Sequence, residues 1–254
     1  MSRIFGNLEA AVDWSLDSLE EHGTVVDAEH WQGIPTEGRP DMMTKEIVNL
    51  SFSAPIPETT EVLGYEVTPN LPWAEIEFQE RVGGEAHNPH QSLPQWPWWR
   101  GQTDETMEEG RFTHTYSERF WPNTSGEDPV GKIKGIRYRY GDLDDVVNLL
   151  RRYPHTRQAT FPIFFPEDTG AVHDGRIPCS LHYHFLLRQD YLSLWYPIRS
   201  CDAIRHFRDD LYMAGRLCQW ILDELGWQDV KPGMLHFTAY SFHVHRGDAH
   251  LLRQ

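Results

Sequence analysis

The hydrophobic positions of the chain fall into short periodic runs. Leu8, Val12, Leu16 and Leu19 recur at helical spacing within residues 3–21, and His22-Gly23 ends the run. Residues 46–53 alternate as a strand that stops at Pro55 and Pro57. Pro72 opens a predicted helix over 73–82, which Gly83-Gly84 closes. Residues 85–130 are rich in Pro, Trp, His, Gly and acids and read as loops, with aromatic anchors at Trp96, Trp98, Trp99 and Trp121. Downstream the periodicity sharpens. Leu143, Val146, Val147 and Leu150 mark an amphipathic helix beginning near Asp142. The pattern then predicts a strand over 158–165, a hairpin of 180–187 and 191–198 around Arg188-Gln189-Asp190, a long helix over 203–225 ended by Gly226, and a last strand over 234–245. Helices alternate with strands, and several strands follow one another directly. The expected fold class is α/β (α+β), a mixed β-sheet flanked by helices, in one domain over residues 1–254.

Composition narrows the class. Of 254 residues, 39% are apolar and 13% aromatic, enough for a packed core at this length. Lys and Arg number 23 against 38 Asp and Glu, a formal net charge of −15. That balance argues against a nucleic-acid polymer as partner and leaves room for a local basic pocket around one phosphate. No apolar run approaches the roughly 20 residues of a membrane span, and the N-terminus lacks an apolar signal core, so a cytoplasmic protein with no membrane partner is expected. Cys179, Cys201 and Cys218 form an odd set without Cys-x-x-Cys spacing, which predicts reduced thiols.

Several positions carry candidate chemistry, each with a plainer alternative. Cys179 follows Pro178 at a strand entry. Cationic neighbours would make it a nucleophile; without them it is a small buried hydrophobe. Cys201 and Cys218 read as packing residues. At roughly 100° per residue, the long helix sets Asp210 on the apolar stripe with Ala214, Leu217 and Ile221, where an unpaired charge is costly. The alternative is a helix N-terminal acid satisfied by backbone donors. Asp209, one step round, is expected in solvent. Glu77 shares a face with Trp73 and Ile76, where a carboxylate can have a raised pKa and act as acid or base; otherwise it is a surface glutamate. Arg199-Ser200, between a strand and a helix, is either a phosphate-binding junction or a capping serine beside a surface arginine. His182-Tyr183-His184 and His243-Val244-His245 each put two imidazoles on one sheet face and together could build a metal site. No acid accompanies either pair at ligand spacing, and no metal is assigned.

Taken together, these residues resemble the thymidylate synthase and deoxycytidylate hydroxymethylase family over roughly residues 70–245. Ile177-Pro178-Cys179-Ser180 is similar to the family's Pro-Cys nucleophile site. Tyr196-Pro197-Ile198-Arg199-Ser200-Cys201-Asp202 resembles its Arg-Ser-x-Asp phosphate loop, with Arg199 20 residues after the cysteine. Gly233 to His245 resembles the penultimate strand, which ends in His-x-Tyr. Pro154-His155-Thr156-Arg157-Gln158-Ala159 resembles the Asp-Ser-Arg-Arg loop that reaches a neighbouring subunit. Glu77 with Gly84 fits a Glu-and-Gly helix motif, and Tyr116 a Tyr-Gly-x-x-Trp segment. The resemblance implies a thymidylate-synthase-like homodimer joined through its sheet. It implies that Cys179 attacks C6 of a pyrimidine nucleotide and that C5 takes a one-carbon unit from 5,10-methylenetetrahydrofolate. In that scheme Arg199 favours the thiolate, Glu77 organises water and proton transfers, and Tyr116 belongs to the catalytic set. Arg199, Ser200, Arg39 and the partner subunit's Arg157 would hold the 5′-phosphate. His243 would contact the sugar 3′-hydroxyl, and Asp202 would sit near nucleophile and base.

The departures sharpen the expectation. Asp210 stands where thymidylate synthases carry Asn, 11 residues after Arg199. An amide suits the uracil edge, whereas a carboxylate or its protonated form suits cytosine N4 and N3. The family's cytidylate hydroxymethylases carry Asp here, which favours dCMP over dUMP, and Ser200 favours deoxyribose. His245 replaces the family Tyr, and Gln158 the second loop arginine. The family continues beyond the 11 residues that follow His243 into a tail closing over folate. An open site, where water rather than hydride adds, is therefore expected, with a hydroxymethyl product. The resemblance thus points to a phage-type dCMP hydroxymethylase supplying a modified DNA precursor. Alternatives are a dCMP or dUMP C5-methyltransferase, a metal enzyme built on the paired histidines, and a nucleotide-binding homologue without turnover.

Overall fold

The computed structural model describes residues 3–31, 34–101, 107–123, 141–169 and 176–253. Parts of the loop-rich stretch, 102–106 and 124–130, lie outside the described residues.

A mixed sheet organises the chain. Its spine is three long strands side by side, β5 (Thr44–Pro55), β9 (Lys231–His245) and β8 (Tyr191–Asp202). β7 (His182–Arg188) and β6 (Thr160–Pro162) extend it beyond β8, while β1 (Arg3–Ile4) and β2 (Thr24–Val26) both pair with β5. β8 and β9 run parallel, β5 and β9 antiparallel. A separate small hairpin joins β3 (His30–Trp31) to β4 (Ile34–Pro35). The helices are α1 (Leu8–His22), α2 (Thr60–Val67), α3 (Trp73–Val82), α4 (Tyr116–Phe120), α5 (Leu143–Arg152) and α6 (Phe207–Leu225). The expected class, a mixed sheet flanked by helices, is what forms. Among the described residues no helix is long and apolar enough to cross a membrane.

α6 is the buried keystone. Phe207 at its start meets Phe237 and Phe242 of β9, with ring centroids 5.6 and 4.8 Å apart. On its other side Gly215 faces Leu63 of α2; a Cβ there would lie 2.8 Å from a Leu63 methyl, so any larger residue requires the Leu63 side chain to shift.

Element limits differ from the periodicity where capping intervenes. α1 starts at Leu8 because the Asn7 side chain accepts a hydrogen bond from the Ala10 amide, and Arg3–Ile4 pair instead with Phe52 and Ser53. α6 starts at Phe207, not 203, because Asp202 holds the Ile204 and Arg205 amides in a turn. The strand expected over 158–165 shortens to Thr160–Pro162, since proline offers no ladder donor. The helix over 73–82 forms as expected.

The three spine strands share one irregularity. Burial alternates along β8 as far as Ile198 and along β9 as far as Ala239, which are paired. The next core residues are Cys201 and Phe242, also paired and three positions further on, where plain alternation would put them on the far face. On β5 the adjacent Asn49 has φ +61°, in the left-handed region, between the rungs Val48–Ser241 and Leu50–Ala239. The pleat therefore slips across one band of the sheet.

Candidate active site

A cavity of about 270 Å3 opens above that band. It gathers Cys179, Glu77, Tyr116, Arg199, Ser200, Asp202, Asp210, His243 and His245 from widely separated parts of the chain. Arg199 and Ser200, consecutive residues, both line it, which the slipped pleat permits.

Cys179 sits between β7 and the preceding loop, partly exposed, with its Sγ 4.0 Å from Arg199 Nη2. Arg199 Nε and Nη2 donate to the carbonyls of Pro178 and Ile177 at 2.8 and 2.9 Å, and the Arg199 amide donates to the Cys179 carbonyl. The guanidinium thus clamps the cysteine turn in place. Desolvation pushes the Cys179 thiol up, while the Arg199 and Arg176 charges pull it down. Net, the thiol lies above its ordinary value, so the expected thiolate preference is not met by Arg199 alone. Arg176 carried no sequence signal: it is a lone arginine outside any periodic run. Cys201 and Cys218 are buried packing residues, as expected.

Asp210 points inward, as the helical phase requires, and is 8% exposed. Burial pushes its carboxyl up to about 7, against the pull of Arg81 and a hydrogen bond from Tyr196. Tyr196 Oη lies 2.7 Å from Ser180 Oγ, and Ser180 also reaches the Tyr116 hydroxyl at 3.3 Å. A hydroxyl chain therefore joins the carboxyl to the residue after the cysteine. Asp209 corrects the expectation of solvent: it is 1% exposed and accepts the amide and the side-chain nitrogen of Asn70, each at 2.8 Å.

Glu77 is also corrected. It is buried, as the apolar-face reading has it, but its pKa is lowered, not raised. Burial alone would raise it, but Arg81 Nε at 2.8 Å, His90 Nδ1 at 2.7 Å and Ser92 Oγ at 2.6 Å outweigh that and hold the carboxylate ionised. It is an anchored acceptor rather than a proton donor. The Arg81 guanidinium also lies over the Tyr116 ring, 4.2 Å from its centroid.

Three of the four expected aromatic anchors supply a wall, whereas Trp121 is buried outside the cavity lining and donates its Nε1–H to the Arg81 carbonyl at 2.8 Å. Trp96 stacks on His206 at 5.0 Å and packs beside Trp73, and Trp98 and Trp99 line the same cavity. Arg39, at the start of a turn at Pro40–Met42, and Arg157, exposed between α5 and β6, stand outside the cavity lining. The two histidine pairs do not meet: His184 faces Thr160 and Trp195, whereas His243 and His245 face the cavity.

No family model matches the chain. It is 26% identical over 137 residues to a protein of Methanosarcina mazei named "Putative thymidylate synthase", covering 54% of this chain and 55% of that one. A protein of the same name from Methanococcoides burtonii is 26% identical over 139 residues, and one from Methanosarcina barkeri 23% over 137, with the same coverage. The chain spans about half the length of the curated relatives it matches. These distant likenesses support kinship with the thymidylate synthase family.

Proposed function

We propose that the protein transfers a one-carbon unit to C5 of a pyrimidine nucleoside 5′-monophosphate, with dCMP as substrate and 5-hydroxymethyl-dCMP as product. The observation that carries this reading is the pairing, in one cavity, of Cys179 with an inward carboxyl at Asp210 whose pKa is pushed up to about 7. A neutral carboxylic acid donates through its hydroxyl and accepts through its carbonyl. Cytosine offers the complement, an acceptor at N3 and a donor at N4.

Cys179 adds through sulfur to C6, which makes C5 nucleophilic; C5 then gains the carbon and loses its proton, the amine that carried the carbon leaves, and water adds its hydroxyl to that carbon as the sulfur departs. Ionised Glu77 orders water beside the base. Arg199 holds the cysteine turn, and Arg176, Arg199 and Ser200 face the phosphate. The donor proposed is 5,10-methylenetetrahydrofolate, which supplies carbon at the oxidation level of formaldehyde. The residues fit such a group: the tryptophan wall suits a flat heterocycle, and among the described residues the buried Trp73 and Trp96 indole N–H groups have no partner. The protein is proposed to act as a homodimer through its sheet, where His184, Trp195 and His236 form a partly buried ring row.

The test is incubation with dCMP, dUMP and CMP, each tritiated at C5, with methylenetetrahydrofolate, followed by mass analysis. Tritium release from dCMP with a hydroxymethyl product, abolished in Cys179→Ala while nucleotide binding persists, is expected. Release from dUMP alone, a methyl product, or more than a few per cent of activity in Cys179→Ala overturns the corresponding part of the assignment.

A further inference from the structure

The parallel register of β8 and β9 sets Asp202 directly beside His243. His245, two residues on, points the same way, and its Nε2 lies 3.9 Å from Asp202 Oδ2. Each of the three side chains offers a ligand atom, and these atoms all lie within 4.8 Å of one another. The spacing along the chain gives no hint of this acid, which reaches the pair only through the sheet.

The hydrogen bonds fix the imidazole tautomers. His245 Nδ1 faces the Met42 carbonyl at 3.3 Å, an acceptor only, so Nδ1 carries the proton. His243 Nδ1 faces Ser241 Oγ at 3.4 Å. The single Ser241 hydroxyl proton is already given to Glu46, so Ser241 accepts from His243 Nδ1–H. Both rings, when neutral, therefore turn an Nε2 lone pair to the remaining side. On that side His245 Nε2 confronts a carboxylate oxygen, acceptor against acceptor, too far for a hydrogen bond. Asp202 spends Oδ1 on the Ile204 and Arg205 amides and keeps Oδ2 for this side. Arg205 Nε also stands 3.9 Å from this oxygen, but its guanidinium makes its hydrogen bonds to Asp248, at 2.6 and 2.8 Å, and none to Asp202 Oδ2.

We propose that Asp202, His243 and His245 form a three-ligand site for a divalent transition-metal ion, with its open positions toward the cavity. Two imidazoles and one carboxylate suit Zn2+ and its first-row neighbours. Metal–ligand bonds of roughly 2.0–2.2 Å put ligand atoms about 3.3–3.6 Å apart, so closure asks a few tenths of an ångström of His245 and Asp202, at 3.9 Å, and at most about 1.5 Å of a pair at the 4.8 Å limit of the cluster. The Nδ1–H bonds to Met42 and Ser241 are the outer contacts that orient metal-ligating histidines. Among the described residues the other grouping of this kind, Glu77, Glu80 and His90, is already used up by Arg81, Ser92 and the Gln91 and Ser92 amides. A cation at Asp202 would take an oxygen ligand from the cavity, which on the nucleotide reading is a sugar hydroxyl.

Binding is measured without nucleotide or folate, so its outcome is separate from that of the proposed reaction. Untagged protein is stripped with chelator, dialysed and titrated with ZnCl2 by calorimetry and with CoCl2 by visible absorbance. The expected result is one Zn2+ per chain and a Co2+ ligand-field band. His243→Ala and His245→Ala should each weaken binding at least tenfold and Ser241→Ala by about tenfold, with circular dichroism unchanged. Since Asp202 also caps a turn, the histidine variants carry the decision. His184→Ala should bind as the parent does. Less than one fifth of an equivalent bound by folded protein, or equal affinity in parent and histidine variants, overturns the site.

Discussion

Asp210 concentrates the chemistry at the scale of one residue. Its carboxyl titrates near 7 in the fold against 3.8 in its ordinary state. A raised carboxyl binds its proton more tightly in the folded chain, so its contribution to stability is complete below about pH 4 and is lost as pH rises through 7. The displacement corresponds to at most about 4 kcal/mol. Asp210→Asn, which cannot ionise, should therefore gain on the parent in denaturant midpoint between pH 5 and pH 8. Parallel stability profiles would show that the carboxyl is not strained. The same variant should move preference from dCMP toward dUMP, costing dCMP on the order of 2–4 kcal/mol in kcat/KM; a dCMP:dUMP ratio within about threefold of the parent would remove Asp210 from base selection. This residue was legible because helical phase is a local property. Asp209 was not, because the group that covers it, Asn70, comes from far along the chain. Glu77 was placed correctly and its ionisation misjudged, since Arg81 is visible one turn away but His90 and Ser92 arrive by a loop.

Among the elements, α6 sets the height of Asp210 over the sheet, and it packs closely on α2 at Gly215. Gly215→Ala brings a methyl to 2.8 and 2.9 Å from the two Leu63 methyl carbons, and Leu63 is fully buried. Overpacking should cost about 1–3 kcal/mol, more than the helix-propensity gain of roughly 1 kcal/mol returns. Urea unfolding should show the loss, and Leu63→Ala should erase it in the double variant. A Gly215→Ala protein as stable as the parent would mean that the helices have slack. Strands and helices with a clean period were readable, α3 and α5 within a residue or two, because their burial repeats along the chain. The partnership of Asp202 with His243 was unreadable for the opposite reason: it depends on which strand lies beside β9, and nothing within either strand states its neighbour.

The whole molecule raises the question of a second copy. Arg157 is exposed and away from its own cavity, as a residue lent to a neighbour would be. If the phosphate site is shared, a Cys179→Ala chain mixed with an Arg157→Ala chain should regain activity, because one site of each hybrid has both groups. Up to about a quarter of parental turnover is the ceiling expected for random pairing. No recovery after proven subunit exchange would place Arg157 elsewhere. The slipped band of the sheet bears on how such a molecule can vary. Because Arg199 and Ser200 stand together only where the alternation breaks, losing one residue from β8 at this point would restore a regular strand and send one of the two to the far side. β9 and β5, still out of step, would no longer match it. Length changes that loops absorb singly must here occur in three strands at once, so the floor of the cavity can be recoloured by substitution but hardly re-spaced.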